Sequence, residues 1–437
     1  MQNSKYYLEC TNCKRITPDF AQWFRQNQQC PECGSKHSEV WYRSDYGKLS
    51  ALLAGNPESF WHYFDYLPLS DRKNIISCNE GAIPLERWGF LEEFAKKHYG
   101  VNCEVWVYRN DLNGGTGTFK DVAASLAASL FKEEGIKHYI VASTGNTATS
   151  YSKYLALGGI LCSVFIPDNA LKASEAVISA FSQKVYRIKG DYARAKEVAA
   201  EFAKQNNILI SSGNIDPIRV EAKKTMVFEW LRIMKKTPDV YIQAVSGGTG
   251  PIAIDKGVRE IVNAFPQVKN PRMIMVQPDK CDPMVRAWEN AERNNFPEGF
   301  EKDYPILKSP QTGVPTLATG HPATYPLIAR LVRQTGGTFL RISENKLVDF
   351  ARLVAFERKV LLGPASAVCM AGFFKALKEG RINNNETVLV NTGEGTNRAP
   401  DFLEQMIYTT DHVSGIEDCK PYDKQLIEKQ LWKAVEG

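Results

Sequence analysis

From about residue 100 onward, short apolar runs alternate with longer amphipathic stretches. The runs Glu104–Tyr108, His138–Ala142, Leu161–Ile166, Lys184–Ile188, Val240–Ala244, Met273–Val276 and Val388–Asn391 are rich in Val, Ile and aromatic residues, which predicts strands. The intervening stretches Lys120–Glu133, Thr147–Leu157, Ala170–Ala180, Tyr192–Gln205, Arg219–Met234 and Ser366–Glu379 predict helices. Alternation at this spacing predicts an α/β fold, with parallel sheets covered by helices on both faces. A last amphipathic stretch, Tyr422–Glu436, predicts a helix packed on the body or on a second copy.

Several predicted strands run into turns of small residues, and strand carboxyl ends are where such folds place ligands. Asn113-Gly114-Gly115-Thr116-Gly117-Thr118-Phe119 leads to Lys120 at a helix start. The positive helix end and partial desolvation both lower a lysine pKa there and favour a nucleophilic amine. Taken by itself, the loop fits an ordinary solvated lysine better. It is not a nucleotide P-loop, because Asp121 follows the lysine where Ser or Thr is required. Ser143-Thr144-Gly145-Asn146-Thr147 offers hydroxyls and backbone N–H groups to a carboxylate, and fits a plain helix cap equally well. Ser246-Gly247-Gly248-Thr249-Gly250 lets the backbone approach a ligand and cradle a phosphate, or simply makes a tight turn. Thr392-Gly393-Glu394-Gly395 places a hydroxyl at another strand end. Together these turns describe a phosphate cradle, a carboxylate nest and a reactive lysine, a set that suits pyridoxal phosphate.

The first 40 residues stand apart. Cys10 and Cys13, then Cys30 and Cys33, form two C-x2-C knuckles, the spacing of a four-thiolate zinc ribbon. No basic stripe with interleaved aromatics follows, so a structural cap is favoured over nucleic-acid binding. The other six cysteines are scattered, as in a reducing compartment.

Length and composition narrow the picture. The 437 residues correspond to two to four domains at roughly 150 residues each. With 43% hydrophobic and 24% charged residues the chain can bury a core without disulfides, which excludes a disordered or fibrous protein. The formal charge of +5 is too slight to argue for nucleic acid. No apolar run has the length of a membrane span, and the first residues lack the apolar core of a secretion signal. The expectation is a cytoplasmic protein with small-molecule partners.

The order Glu80-Gly81-Ala82-Ile83-Pro84-Leu85, Thr116-Gly117-Thr118-Phe119-Lys120-Asp121 and Ser143–Ala148 resembles the threonine synthase family of fold-type II pyridoxal-phosphate enzymes. The likeness continues in Pro217-Ile218-Arg219, Lys224-Thr225, Gly247–Gly250, Pro364–Ala367 and Thr392–Gly395, over nearly the whole chain. The resemblance implies a tryptophan synthase β-like fold. A zinc ribbon would occupy residues 1–40, a large cofactor-binding domain 41–113 and 223–437, and a small domain 114–222. It implies Lys120 as the cofactor-bonding amine and proton shuttle, and Asn146 on the ring hydroxyl. Gly247, Gly248, Thr249 and Gly250 would hold the cofactor phosphate, and Thr392 the pyridine nitrogen. Substrate would meet Thr116, Ser143, Thr144, Thr147, Arg219 and Lys223. A homodimer is also implied. Gly114-Gly115 and Val122 depart from the usual Asn-Pro and Arg, a departure similar to cysteate synthase, which joins O-phosphoserine and sulfite. Tyr241–Gly250 is similar to that enzyme too, whereas the Thr392-Gly393 pair resembles threonine synthase, which converts O-phosphohomoserine and water. A cysteate synthase-like reaction is the reading taken forward, with threonine synthase as its alternative. An alternative of another class is a zinc-ribbon binding protein with a degenerate enzyme body.

Overall fold

The computed structural model describes residues 4–143, 145–168, 170, 172–419 and 421–436. Thirteen strands form three sheets among them. The ribbon holds β1 (Tyr6–Cys10), β2 (Ile16–Thr17) and β3 (Ser38–Tyr42), paired antiparallel in the order β2-β1-β3. The other strands are β4 (Leu85–Arg87), β5 (Glu104–Arg109), β6 (His138–Ala142), β7 (Leu161–Pro167), β8 (Lys184–Ile188), β9 (Leu209–Ile210), β10 (Val240–Ala244), β11 (Arg272–Pro278), β12 (Thr338–Ile342) and β13 (Thr387–Thr392). The large sheet runs β12-β11-β10-β13-β5-β4, parallel except for the edge strand β4. The small sheet runs β8-β7-β6-β9, all parallel.

Side chains on a strand alternate between faces, and here both faces are covered. Val240 and Ile242 on β10, with Val388 and Val390 on β13, pack into one apolar cluster with the helix Pro364–Lys378. Their neighbours Tyr241 and Leu389 join the opposite cluster, with the helices Pro217–Met234 and Thr249–Ile261. That double cover explains why these strands read as near-continuous apolar runs.

Each predicted strand is present, extended by a residue or two at some ends. The sequence reading missed β12, short β4 and β9, and the helices Gly89–Tyr99, Pro283–Arg293, Tyr325–Gln334 and Leu347–Arg358, and it set no bounds for the helix that the Gly247–Gly250 turn opens, Thr249–Ile261. Thr249–Ile261 opens on Thr-Gly-Pro and carries Gly257, all weak helix formers. Burial of its apolar face overrides that propensity.

The C-terminal helix Lys424–Glu436 packs on the body through buried Leu431 and Val435, and Trp432 stacks on Phe94 with centroids 5.2 Å apart. Among the described residues no helix is long and apolar enough to cross a membrane.

Candidate active site

One cavity of about 440 Å³ lies at the carboxyl ends of strands from both parallel sheets. Ala142 ends β6 and Ser143 follows it, Ile210 ends β9 and Ser211 follows it, Ala244 ends β10 and Ser246 to Gly250 follow it, and Asn391, Gly393 and Glu394 stand at the end of β13. Lys120, Asn146, Thr147, Arg219, Lys223 and the loop Gly247–Gly250 all line it.

Lys120 stands at the N-cap of the helix Asp121–Glu133. Its loop is tied by Asp121, whose buried carboxylate accepts from the Thr116 N–H at 3.1 Å, the Thr118 N–H at 2.9 Å and the Thr116 hydroxyl at 2.6 Å, and from Ser150. Burial lowers the Lys120 pKa to about 8, helped by the Arg219 charge and opposed by Glu394. The Lys120 ammonium is therefore costly, and its amine is available for chemistry near neutral pH.

Arg219 and Lys223 come from the helix Pro217–Met234, which Pro217 at its first turn and the Asp216 side chain, accepting from the Ile218 N–H at 3.0 Å, start cleanly. Four residues apart, the two cations project from one face. Arg219 donates to Ser211 Oγ at 2.6 Å and to the Tyr151 hydroxyl at 3.3 Å. Lys223 is buried, with Nζ 4.5 Å from the Phe119 ring centroid. Its pKa is driven well down by burial, then by the charges of Lys120 and Arg219. Among the described residues no carboxylate forms an ion pair with Lys120, Arg219 or Lys223.

The loop after β10 has no room for side chains. A Cβ at Gly247 lies 1.7 Å from Asn214 Nδ2, and Gly248, with φ of +72°, caps the helix Thr249–Ile261. The unpaired N–H groups of that first turn make an anion cradle. Thr324 braces it by donating to the Gly247 carbonyl at 2.6 Å, and Thr249 donates to Asn214 Oδ1 at 3.0 Å.

Asn146 donates its amide to Glu394, which is 1% exposed. The Glu394 carboxylate also accepts from the Ala365 N–H at 3.1 Å, at the start of the helix Pro364–Lys378, and from the Thr316 hydroxyl at 3.3 Å. Ser366 Oγ locks the turn by accepting from the Gly393 and Glu394 N–H groups at 2.9 and 3.0 Å and donating to the Glu394 carbonyl at 2.7 Å.

Two sequence-predicted residues lie off the cavity wall. Thr392 is fully buried behind it, and its hydroxyl donates to the Tyr108 carbonyl at 2.8 Å and to Asp111 at 3.2 Å. Asn391, its neighbour on β13, faces the cavity instead, as strand alternation requires. The Thr116 hydroxyl is committed to Asp121. Ser143 lines the cavity, and Thr144 lies outside the described residues. Asn214, Glu394 and Lys36 line it without having been singled out. A carboxylate between two glycines at a strand end was the available signal for Glu394. Lys36 had none.

In the ribbon the four sulfurs of Cys10, Cys13, Cys30 and Cys33 lie within 4.8 Å of one another, with Cys10–Cys33 at 3.6 Å and Cys13–Cys30 at 3.5 Å. Thiolates around a tetrahedral zinc at about 2.3 Å stand about 3.8 Å apart, so the donor set and spacing suit Zn2+. The ribbon reaches the cavity through Lys36.

A lysine amine of lowered pKa and a glycine turn that opens a helix line the same cavity, a combination that suits a carbonyl cofactor, and comparison with known proteins shows the family. A family model described as pyridoxal-phosphate dependent enzyme matches residues 76–393, and the chain belongs to that family. It is 28% identical to a threonine synthase of Methanocaldococcus jannaschii over 388 residues, 84% of this chain and 92% of that protein. It is 25% identical to a cysteate synthase of Methanococcoides burtonii over 434 residues, 97% of each chain. Among solved structures, maize serine racemase has a TM-score of 0.58 at 16% identity, covering 74% of this chain and 91% of that one. A threonine deaminase isoform from Solanum lycopersicum has a TM-score of 0.58 at 18% identity, covering 81% and 95%. The fold is thus that of the fold-type II pyridoxal-phosphate enzymes. The cavity fits such a cofactor, with a loop that excludes side chains where a phosphate would sit and a lysine amine held near neutrality.

Proposed function

We propose that this enzyme performs a cysteate synthase-like replacement, taking O-phosphoserine and sulfite to cysteate and phosphate. The observation that carries the reading is the set of buried basic side chains with no carboxylate within ion-pair distance, Arg219 and Lys223 beside Lys120. Burial and mutual repulsion disfavour the charged forms of Lys120 and Lys223, and a ligand that brings negative charge favours them again. A phosphorylated amino acid brings a phosphate and a carboxylate. Its one positive group, the α-ammonium, has Glu394 as the single carboxylate lining the described cavity. The match with a cysteate synthase over 97% of each chain supports the same reading.

Pyridoxal phosphate, when bound, supplies the electron sink that loosens the substrate's α-proton and β-substituent. The chain supplies the rest. Lys120 is the amine that would hold the cofactor at its aldehyde carbon and, once released, would carry the substrate's α-proton on Nζ. The N–H groups of Gly247 to Gly250 would hold the cofactor phosphate. Asn146, pinned by Glu394, keeps one amide proton for the ring hydroxyl. Arg219 and Lys223 bind the substrate's anionic groups, as the β-carbon–oxygen bond breaks, phosphate leaves with the bonding pair, and sulfite forms the new carbon–sulfur bond. Cys10, Cys13, Cys30 and Cys33 would hold Zn2+ as the structural metal of the ribbon.

The test is product identification. The loaded enzyme is given O-phosphoserine with sulfite and, separately, O-phosphohomoserine. Cysteate in the first supports the proposal. Threonine in the second, with no cysteate in the first, replaces it with the threonine synthase reaction.

A further inference from the structure

We propose that Lys36, carried by the ribbon, is an active-site residue, the outer cation of an oxyanion subsite at the cavity mouth. The inference rests on the reading of this cavity as the active site, and adds to it a residue from outside the catalytic body.

The cavity has a buried floor and an exposed rim. Gly247 to Gly250, Lys223 and Glu394 are buried at the floor, whereas Lys36 and Lys196 are exposed residues of the lining. The two rim lysines come from different elements, Lys36 from the turn before β3 and Lys196 from the helix Tyr192–Asn206. Lys196 loses part of its hydration there, and burial lowers its pKa. Among the described residues the lining holds no carboxylate but Glu394, so the cationic character runs from rim to floor. An open-ended lining of that kind draws in and holds small oxyanions.

Lys36 is not on a loose tether. Both of its neighbours are bonded into the cysteine knuckles. The Ser35 carbonyl accepts from the Cys30 N–H at 2.8 Å, and the His37 carbonyl accepts from Thr11, through its N–H at 3.2 Å and its hydroxyl at 3.1 Å. The ribbon as a whole is clamped to both walls of the cavity. Buried Gln28 donates to the Ile210 carbonyl at 2.8 Å, one residue before the serine that holds Arg219. Tyr42 donates to Glu221 at 2.7 Å, on the helix that carries Arg219 and Lys223. A cap with no further role would need the clamps but not the lysine.

The ligand class is a small oxyanion, and in the proposed reaction it has two sources, the phosphate of the amino-acid ester and the sulfite nucleophile. The deciding experiment titrates the pyridoxal-phosphate-loaded enzyme with inorganic phosphate by calorimetry. Lys36→Gln weakens binding by about fivefold, the size of a partly screened charge contact. Lys36→Arg retains it, and Lys14→Gln, an exposed ribbon lysine paired with Glu9 away from the cavity, leaves it unchanged. Added salt narrows the gap between wild type and Lys36→Gln. Equal phosphate affinity in wild type and Lys36→Gln, or no phosphate binding by wild type, overturns the proposal. That readout is independent of which amino acid is turned over, so it separates this inference from the substrate assignment. In turnover, a raised KM for O-phosphoserine at unchanged kcat assigns the subsite to the ester phosphate. A raised KM for sulfite assigns it to the nucleophile, and unchanged KM values for both count against it.

Discussion

The helix Pro217–Met234 treats its buried charges in two opposite ways. On one face Lys224 pairs with Glu221 at 2.6 Å and Glu260 at 2.7 Å, and Lys256 pairs with Glu260 at 3.1 Å, all of them at most 1% exposed in their side chains except through one another. The ribbon closes this quartet, with the Tyr42 ring 3.9 Å from Lys224 Nζ and the Trp41 ring 4.4 Å from Lys256 Nζ. On the cavity face Arg219 and Lys223 are also buried, and no carboxylate stands within ion-pair distance of either among the described residues, although buried Asp216 attracts Arg219 from the start of the same helix. Burial of charge is costly on both faces. One face meets that cost within the protein and is structural. The other leaves it open for a ligand, and that difference separates framework from site more clearly than residue type does, since Lys223 and Lys224 are adjacent lysines.

The largest effect is expected at the amine the open face surrounds. Lys120→Ala lowers kcat by on the order of 10³-fold or more and removes the visible absorbance of the lysine-bound cofactor, with the thermal midpoint nearly unchanged. Next comes a direct contrast of the two faces. Glu221→Ala leaves buried Lys224 and Lys256 under-neutralised and costs about 3–5 kcal/mol in urea unfolding, whereas Lys223→Met is neutral or stabilising and instead weakens phosphate binding. Equal destabilisation by both variants would sink the comparison.

A smaller effect appears in pH dependence. A lysine lowered to about 8 is largely protonated below that pH and a free nucleophile above it. Recombination of the cofactor-free enzyme with pyridoxal phosphate therefore accelerates as pH rises through about 8. In Arg219→Gln the loss of a neighbouring positive charge moves that midpoint upward, which stopped-flow absorbance reads out. The smallest effect belongs to the ribbon. Cys13→Ser lowers zinc content by elemental analysis and raises KM severalfold by loosening the turn that carries Lys36, while kcat holds.

Much of the site was legible because its signals are local. The paired cysteines state their chemistry within a few residues, whereas a lysine after a glycine-rich loop and a Gly-Gly-Thr-Gly turn after an apolar strand are ambiguous singly and telling together, and these two meet in one cavity. Thr392 shows the limit. A hydroxyl at a strand end was visible, but which of Asn391 and Thr392 faces the ligand depends on the register of β13 against β5 and β10. Glu394 likewise becomes a site residue only once the helix Pro364–Lys378 brings its Ala365 N–H to the carboxylate.

The sequence by itself determined the kinds of element, their alternation and the reactive groups at their ends, because periodicity and turn chemistry act between near neighbours. Tertiary structure alone decided which buried lysines are neutralised, how far the Lys120 amine is depressed, and that a ribbon residue reaches the cavity. Those properties depend on desolvation and on charges supplied by residues far away in the chain, and no local pattern records such distances.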